Sequence, residues 1–257
     1  MATNLANKVI VLTGGGGGIG STIADNYLEQ GAKLVILLDN DEKNGADTAK
    51  QLTTKYGDNK AVFIKCDLTS EVDEVSKTIF ENYTVDVLVN NAGIFDETKL
   101  KLTINVNVTA LIELSLKFWN HMRTDKGGRG GTIINLASIY GYRVDPYTSI
   151  YQASKFAVMG FTRSLGHADN FKRSGVRVVA ICPGFTRTNM TVTFTTTDLD
   201  RLEEYNEYAK SLPWQTVEAV GDAAVEIFEL AESGSAWQIK GGKPVEEVKL
   251  KFENNDP

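Results

Sequence analysis

Cysteine and histidine are scarce in this 257-residue chain, which holds two of each. Cys66 and Cys182 are too far apart in sequence for a close-spaced ligand pair or a disulfide framework, and both read as reduced core residues. His121 and His167 offer a metal too few nitrogens, so a zinc enzyme would have to gather scattered carboxylates. No metal is expected. A basic excess is missing as well: the formal charge is −6 and no basic stripe interrupts it, which disfavours nucleic acid and an anionic membrane surface as partners. There is no transmembrane-length apolar run, no internal repeat and no domain linker. The start, Met-Ala-Thr-Asn-Leu-Ala-Asn-Lys, has no charged n-region followed by a signal-type apolar segment, so a cytoplasmic location is the expectation. The sequons at Asn82, Asn107 and Asn189 then have no route to glycosylation.

What is present is ordinary in amount and ordered in arrangement. Hydrophobic residues make up 42% and charged residues 23%, the usual balance of a soluble domain. A chain of this length can bury ~70% or more of its unfolded surface around one core. Short β-branched apolar runs at Lys8–Thr13, Lys33–Leu38, Ala61–Lys65, Val85–Val89, Thr132–Ala137, Val176–Cys182 and Ala236–Ile239 read as strands buried on both faces. Between them fall helical patterns at Ser21–Glu29, Glu42–Tyr56, Glu71–Tyr83, Leu102–Met122, Ile150 to about Asp169, and Val220–Ser233. Strand and helix alternate throughout. That alternation predicts one α/β domain over residues 1–257, doubly wound and Rossmann-type, with a parallel sheet of about seven strands and helices on both faces.

The glycine run Gly14 to Gly18, followed by Ile19 and Gly20, stands between the first strand and the first helix. Glycines there let backbone approach a pyrophosphate, and the helix N-terminus supplies free N–H groups and partial positive charge. A linker is the bland alternative, and the flanking strand and helix argue against it. Asp39 ends the second strand about 20 residues after the turn, where a carboxylate accepts from adenosine ribose hydroxyls. Asn40, Asp41 and Glu42 add no cation for a 2′-phosphate, so NAD is expected over NADP. Asn90-Asn91-Ala92-Gly93 closes the fourth strand on the edge where open parallel sheets bind ligands. Asn105 and Asn107 sit among apolar residues of the long helix, in structural or proton-relay roles. Ser138 ends the fifth strand, and Tyr151 and Lys155 lie four apart, hence on one face of a helix. A cation beside a phenol favours the phenolate, so Tyr151 is expected to have a depressed pKa and to accept protons near neutrality. Phe185 to Trp214, rich in threonine and then acidic and helical, reads as a substrate lid.

Taken in register, Thr13-Gly14-x-x-x-Gly18-x-Gly20, Asn90-Asn91-Ala92-Gly93 and Tyr151-x-x-x-Lys155 with Ser138 ahead of it resemble the short-chain dehydrogenase/reductase family. The phrases Gly131-Thr132-Ile133-Ile134-Asn135, Ala180-Ile181-Cys182-Pro183-Gly184-Phe185 and Gly234-Ser235-Ala236-Trp237 resemble its branch of insect alcohol dehydrogenases and 15-hydroxyprostaglandin dehydrogenases. The resemblance implies Tyr151 as general base and Lys155 as the residue that lowers its pKa and bonds the nicotinamide ribose. Ser138 would hold the substrate oxygen, and Asn107 a relay water. For the cofactor it implies Gly14, Gly18, Ile19 and Gly20 at the phosphates, Asp39 at the ribose, Asp67 and Leu68 at the adenine, Asn91, Ala92 and Gly93 along the middle, and Pro183, Gly184, Thr186 and Thr188 at the nicotinamide. The reaction implied is reversible hydride transfer from an apolar primary or secondary alcohol to NAD, in a homodimer or homotetramer. Reduction of a ketone or aldehyde, or silent binding of NAD or a lipid, are the alternatives. Departures from the pattern are Gly15, Gly16 and Gly17, expected to loosen the turn, and Thr148, where prostaglandin dehydrogenases carry glutamine. The tail from Lys243 to Pro257 is a candidate subunit contact.

Overall fold

The computed structural model describes residues 4–192 and 195–249, so Thr193 of the expected lid and residues 250–257 of the tail lie outside the described residues. The strands β1 (Val9–Thr13), β2 (Leu34–Asp39), β3 (Ala61–Lys65), β4 (Val87–Asn90), β5 (Gly131–Leu136), β6 (Val176–Pro183) and β7 (Ala236–Ile239) are mutually parallel. A two-residue β8 (Glu246–Glu247) adds an antiparallel edge in the order β3-β2-β1-β4-β5-β6-β7-β8. The short β8 was not anticipated, because two glutamates carry no strand pattern.

The strands are apolar on both faces because both faces are covered. Ile10, Leu12, Val35 and Leu37 point into one core with α1 (Gly18–Glu29), α2 (Glu42–Tyr56) and α9 (Val217–Leu230). Val9, Val11, Ile36 and Leu38 point into the other, with α3 (Val72–Asn82) and α5 (Leu111–Met122). The strand period of two sends alternate residues to the two sides. On this second face α6 (Ser149–Leu165) lies against β6, with Val158 and Met159 packed on Ala180 and Cys182.

Two helices differ from their sequence reading. The long one is α4 (Leu100–Ile104), a π-helical segment at Asn105–Ala110, then α5; the wide turn sits where Asn107 is fully buried. The helix carrying Tyr151 ends at Leu165 rather than near Asp169, since Gly166 closes it and α7 (Ala168–Ser174) starts anew, capped by the His167 side chain. A Cβ at Gly166 would stand 2.6 Å from the Gly234 nitrogen and the Val178 oxygen, so this crossing over the sheet needs glycine. The remaining helix, α8 (Leu202–Lys210), belongs to the lid.

Register aligns the strand ends. Leu38 pairs with Thr13, Thr13 with Asn90, Asn90 with Asn135, and Asn135 with Ala180, a single row one step below the carboxyl edge. The chain leaves this edge in opposite directions from β1 and β4, which opens a crevice between them. Beneath it, Asn90 Nδ2 donates to Asn135 Oδ1 at 2.9 Å and Ser115 Oγ at 2.8 Å, while Asn135 Nδ2 donates to Thr162 Oγ1 at 2.9 Å. The network ties β4, β5, α5 and α6 together inside the core. Asn135→Ala leaves buried donor and acceptor unpaired, so the denaturant midpoint should fall by the equivalent of about 2 kcal/mol with an unchanged slope. A loss under about 0.5 kcal/mol would show the network to be dispensable.

Candidate active site

The crevice is a cleft of about 550 Å³ running along the carboxyl edge. Gly14, Gly18, Ile19 and Asp39 line one end, Asn91, Ala92 and Gly93 the middle, and Ser138, Tyr151, Lys155, Pro183, Gly184, Thr186 and Thr188 the other. Residues from the ends of β1, β2, β4, β5 and β6 therefore meet. The loops are held by specific bonds: Thr13 Oγ1 accepts the N–H groups of Asn91 and Ala92 at 3.0 Å, and Asn91 Nδ2 donates to the carbonyls of Thr13 and Gly14. Asn91 thus shapes the cleft with its amide already bonded to backbone.

The glycine turn is fitted, and the expectation of a loosened loop is corrected for two of its three extra glycines. A Cβ at Gly15 would lie 2.8 Å from Leu37 Cδ2, and one at Gly16 would lie 2.9 Å from Asp39 Oδ2. Lacking that carbon, Gly16 donates its N–H to Asp39 Oδ2 at 2.8 Å. Gly14 and Gly18 have φ of 68° and 57°, the left-handed region. Gly20 sits below the cleft, where a Cβ would fall 2.1 Å from the Gly14 carbonyl oxygen. Helix α1 opens with Gly17, which has no side-chain cap, and no acidic residue stands in its first turn. Its first N–H groups are left for a ligand, and the dipole favours an anion.

At the other end, Lys155 is 4% exposed and donates from Nζ to the Leu136 carbonyl at 2.8 Å. Its Nζ is 5.5 Å from the centre of the Tyr151 ring. Gly93 lies beside it, where a Cβ would stand at ordinary contact distance, 3.7 Å, from Nζ and a tighter 3.3 Å from Asn107 Oδ1. Burial pushes the ammonium down to about 8, and burial pushes the Tyr151 phenol up to about 12, with the Ser138 hydroxyl pulling it back. The depressed phenol expected from spacing is therefore corrected: the lysine is directed at a carbonyl, and desolvation outweighs its charge. Tyr140 and Tyr205 also line the cleft, and burial raises both phenols as well. Tyr151 is the cleft phenol with a hydroxyl partner that lowers it.

Some anticipated residues stand behind the cleft surface. Asn107 is fully buried, its amide bonded to both backbone groups of Ile94 and to Ser154 Oγ. Asp67 and Leu68 follow β3 next to the Asp39 edge but do not line the cleft, and Thr69 holds the Asp67 carboxyl below its usual range through backbone and side-chain hydrogen bonds. Thr148 is buried and takes a hydrogen bond from Gln152, so it presents nothing to a substrate. Sequence reasoning missed the aromatic walls: Phe95 meets the Tyr151 ring edge-on at 4.6 Å, Tyr140 meets it at 6.3 Å, and Phe185 meets Tyr140 at 5.7 Å. Tyr205 reaches in from α8. The lid is pinned at both stems, Arg187 N to Gln215 O and Gln215 N to Phe185 O.

Comparison with known proteins decides the family. The short chain dehydrogenase family model matches residues 8–199. The chain belongs to the short chain dehydrogenase family. Alcohol dehydrogenase 1 of Ceratitis cosyra is 32% identical over 91% of this chain and 92% of its own. Human 15-hydroxyprostaglandin dehydrogenase [NAD(+)] is 36% identical over 70% and 69%. Among solved structures, the 3-ketoacyl-(acyl-carrier-protein) reductase of Brucella melitensis complexed with NADH aligns with a TM-score of 0.78 at 26% identity, covering 93% of this chain and 98% of that one. A putative NAD(P) dependent gluconate 5-dehydrogenase of Beutenbergia cavernae with bound NADP aligns at 0.77 and 28% identity, covering 93% and 97%.

This short chain dehydrogenase is therefore a nicotinamide-dependent oxidoreductase of small molecules. Its residues fit such a dinucleotide, on the uncapped α1 terminus and the glycine cradle described above. No group of three or more His, Cys, Asp or Glu among the described residues could hold a metal. No described helix is long and apolar enough to cross a membrane.

The buried lysine gives a stability test. Its folded pKa is lowered, so the protonated form opposes folding below about 8, and that penalty disappears as pH rises towards its unfolded value of 10.5. Lys155→Met should be more stable than the parent at pH 7 by on the order of 3 kcal/mol, with the gap shrinking from pH 8 to 10.5. Urea melts across that range would disprove the buried-cation reading if the gap stayed constant.

Proposed function

We propose that the chain is an NAD-dependent alcohol dehydrogenase that oxidises an apolar primary or secondary alcohol to its carbonyl, reversibly. The observation that carries this is the convergence of Ser138, Tyr151 and Lys155 at the aromatic-walled end of a cleft whose other end is the glycine cradle and Asp39. When bound, the oxidised nicotinamide supplies the hydride acceptor and a positive charge beside the phenol.

Ser138 Oγ and Tyr151 Oη hold the alcohol oxygen, and Tyr151, once ionised to the phenolate, takes the hydroxyl proton while the carbinol hydrogen leaves with its electron pair. Lys155 bonds the nicotinamide ribose and adds positive charge near the phenol. Gly14, Gly18 and Ile19 with the α1 terminus would hold the pyrophosphate, with Gly20 beneath them keeping turn and helix close; Asp39 would take the ribose, and Asp67 and Leu68, behind the cleft surface, would back the adenine end. Asn91, Ala92 and Gly93 line the middle, and Pro183, Gly184, Thr186 and Thr188 hold the nicotinamide. Asn107 braces the Ile94 peptide in this scheme, beside any relay. Apolar walls of Phe95, Tyr140 and Phe185 favour an uncharged substrate body.

A Tyr151 pushed up to about 12 is a ready proton donor at neutral pH, which favours carbonyl reduction as the second reading. Leu102, Leu116 and Phe156 are exposed on α4 to α6, and Gly160 faces open space, which supports pairing of subunits through these helices as a homodimer or homotetramer.

Absorbance of the reduced nicotinamide with aliphatic, terpenoid and steroidal alcohols tests the activity. Oxidation should rise with pH as Tyr151 loses its proton, and Tyr151→Phe should lower kcat by at least about 10³-fold while NAD still binds. No turnover across the panel, with NAD binding intact in Tyr151→Phe, would favour a silent binding protein. The cofactors of the similar proteins span NAD and NADP. Asp39 should make NAD the better cofactor, and Asp39→Ser should narrow the NAD to NADP ratio of kcat/KM by roughly 10-fold or more. Equal efficiency with both in the parent enzyme would remove the role given to Asp39.

A further inference from the structure

Glu97 is 5% exposed, lies in the connection between β4 and α4, and belongs to a turn that composition alone reads as ordinary surface. Its carboxylate does not lie in the cleft. Oε1 accepts the backbone N–H of Tyr151 at 2.7 Å, and Oε2 accepts that of Ile150 at 2.9 Å and the hydroxyl of Thr197 at 2.8 Å. Its own N–H donates to Thr195 Oγ1 at 2.8 Å.

Two of these bonds end in the first turn of α6. That turn has unmet donors, since four N–H groups at a helix start lack intrahelical acceptors, and the N-cap Thr148 makes no side-chain capping bond. The Thr148 hydroxyl is engaged with Gln152 instead. Glu97 therefore caps α6 from outside the helix, and the helix dipole favours its negative charge there.

The other two bonds end in the lid. Thr197 also donates its N–H to the Tyr147 carbonyl at 2.8 Å, and its hydroxyl lies 2.8 Å from Ser149 Oγ. Tyr147 is in turn fixed to the lid helix, with its hydroxyl donating to Glu204 Oε1 at 2.7 Å and the Arg201 guanidinium 4.7 Å over its ring. Tyr205, next to Glu204 on α8, is fully buried and forms part of the cleft wall.

We propose that Glu97 is a positioning residue that clamps the lid to the N-terminus of α6, so that the placement of Tyr151 and the closure of the substrate end depend on one carboxylate. Both oxygens are needed, because the two N–H groups and the hydroxyl all donate to them. An amide in its place offers one acceptor and points N–H groups at a donor. The catalytic part of this proposal rests on the dehydrogenase reading, whereas the clamp itself is a property of the folded chain.

The test uses Glu97→Gln and Thr197→Val in the full chain, with two readouts. Glu97→Gln should lower kcat roughly 10- to 100-fold, as expected for a misplaced base, while the NAD dissociation constant stays within about twofold, since no cofactor residue is touched. Thr197→Val keeps the Glu97 bonds to Ile150 and Tyr151 but loses the lid strap and the bond its hydroxyl accepts from the Ser149 N–H at 3.2 Å, so it should raise the alcohol KM more than it lowers kcat. Hydrogen exchange should show the amides of Ile150 and Tyr151 and those of 195–199 losing protection together in Glu97→Gln, and the lid amides with Ser149, but not Ile150 and Tyr151, in Thr197→Val. Equal losses in kcat, KM and NAD affinity, or a Glu97→Gln variant whose lid amides stay protected, would overturn the clamp. If the parent oxidises no alcohol, the dehydrogenase reading fails by itself and the exchange pattern still decides the clamp.

Discussion

A cation held out of water is the constraint around which the rest of this site is built. The Lys155 ammonium makes its direct bond to one backbone carbonyl, and burial costs it much of its ordinary basicity. Such a group stays where it is only if the surrounding backbone cannot move aside. Several close approaches ensure that. Gly141 lets the turn after Ser138 touch α6, where a Cβ would stand 2.6 Å from Met159 Cγ and 2.9 Å from the Lys155 carbonyl oxygen. Gly93 lies beside the ammonium on the cleft side, and Ser154 braces Asn107 from the helix itself. The serine, the tyrosine and the lysine are thereby one rigid unit, made from a strand end and a helix pressed together.

Rigidity below the cleft has a polar origin that an apolar core would not provide. Asn90 and Asn135 face each other across β4 and β5, with Ser115 and Thr162 completing their bonds from two helices. A methyl-lined interior tolerates sliding by small steps, whereas a buried amide pair is satisfied in one register only. That register sets the row from Leu38 to Ala180, and the loops after β1 and β4 depart one residue above it. Thr13 and Asn91 then fasten the first two loops to one another.

Much of this was legible in the sequence, and what was not follows a pattern. The seven parallel strands announce themselves because burial on both faces demands continuous apolar runs. The glycine turn and Asp39 could be placed on the cleft because close backbone approach restricts residue type, whereas Ser138, Tyr151 and Lys155, which line the same cleft, were picked out by the family resemblance more than by spacing. By contrast, Glu97 looks like any turn carboxylate, since its partners lie 53 and 54 residues away. The end of α6 at Leu165 was hidden because Gly166 is required by a crossing over Gly234, not by local propensity. The glycines at 15 and 16 read as slack from composition, and only the positions of Leu37 and Asp39 show them to be fitted. The acidity of Tyr151 was misjudged for a related reason: spacing shows that a lysine is near, but not which way its ammonium points or how little water surrounds the pair.

The two ends of the site therefore obey different physics. Below, chemistry is fixed by sheet register, glycine contacts and a buried cation, and these leave little freedom for change. Above, the wall is a set of rings, Phe95, Tyr140, Phe185 and Tyr205, of which the last is delivered by a lid tied down through hydroxyl and carboxylate bonds at Thr197 and Glu204. Ring walls accept many apolar shapes at similar energy, because each contact is small and undirected. Substitutions in the lid can alter which substrate fits without disturbing the proton chemistry, provided the carboxylate that joins the two halves is kept.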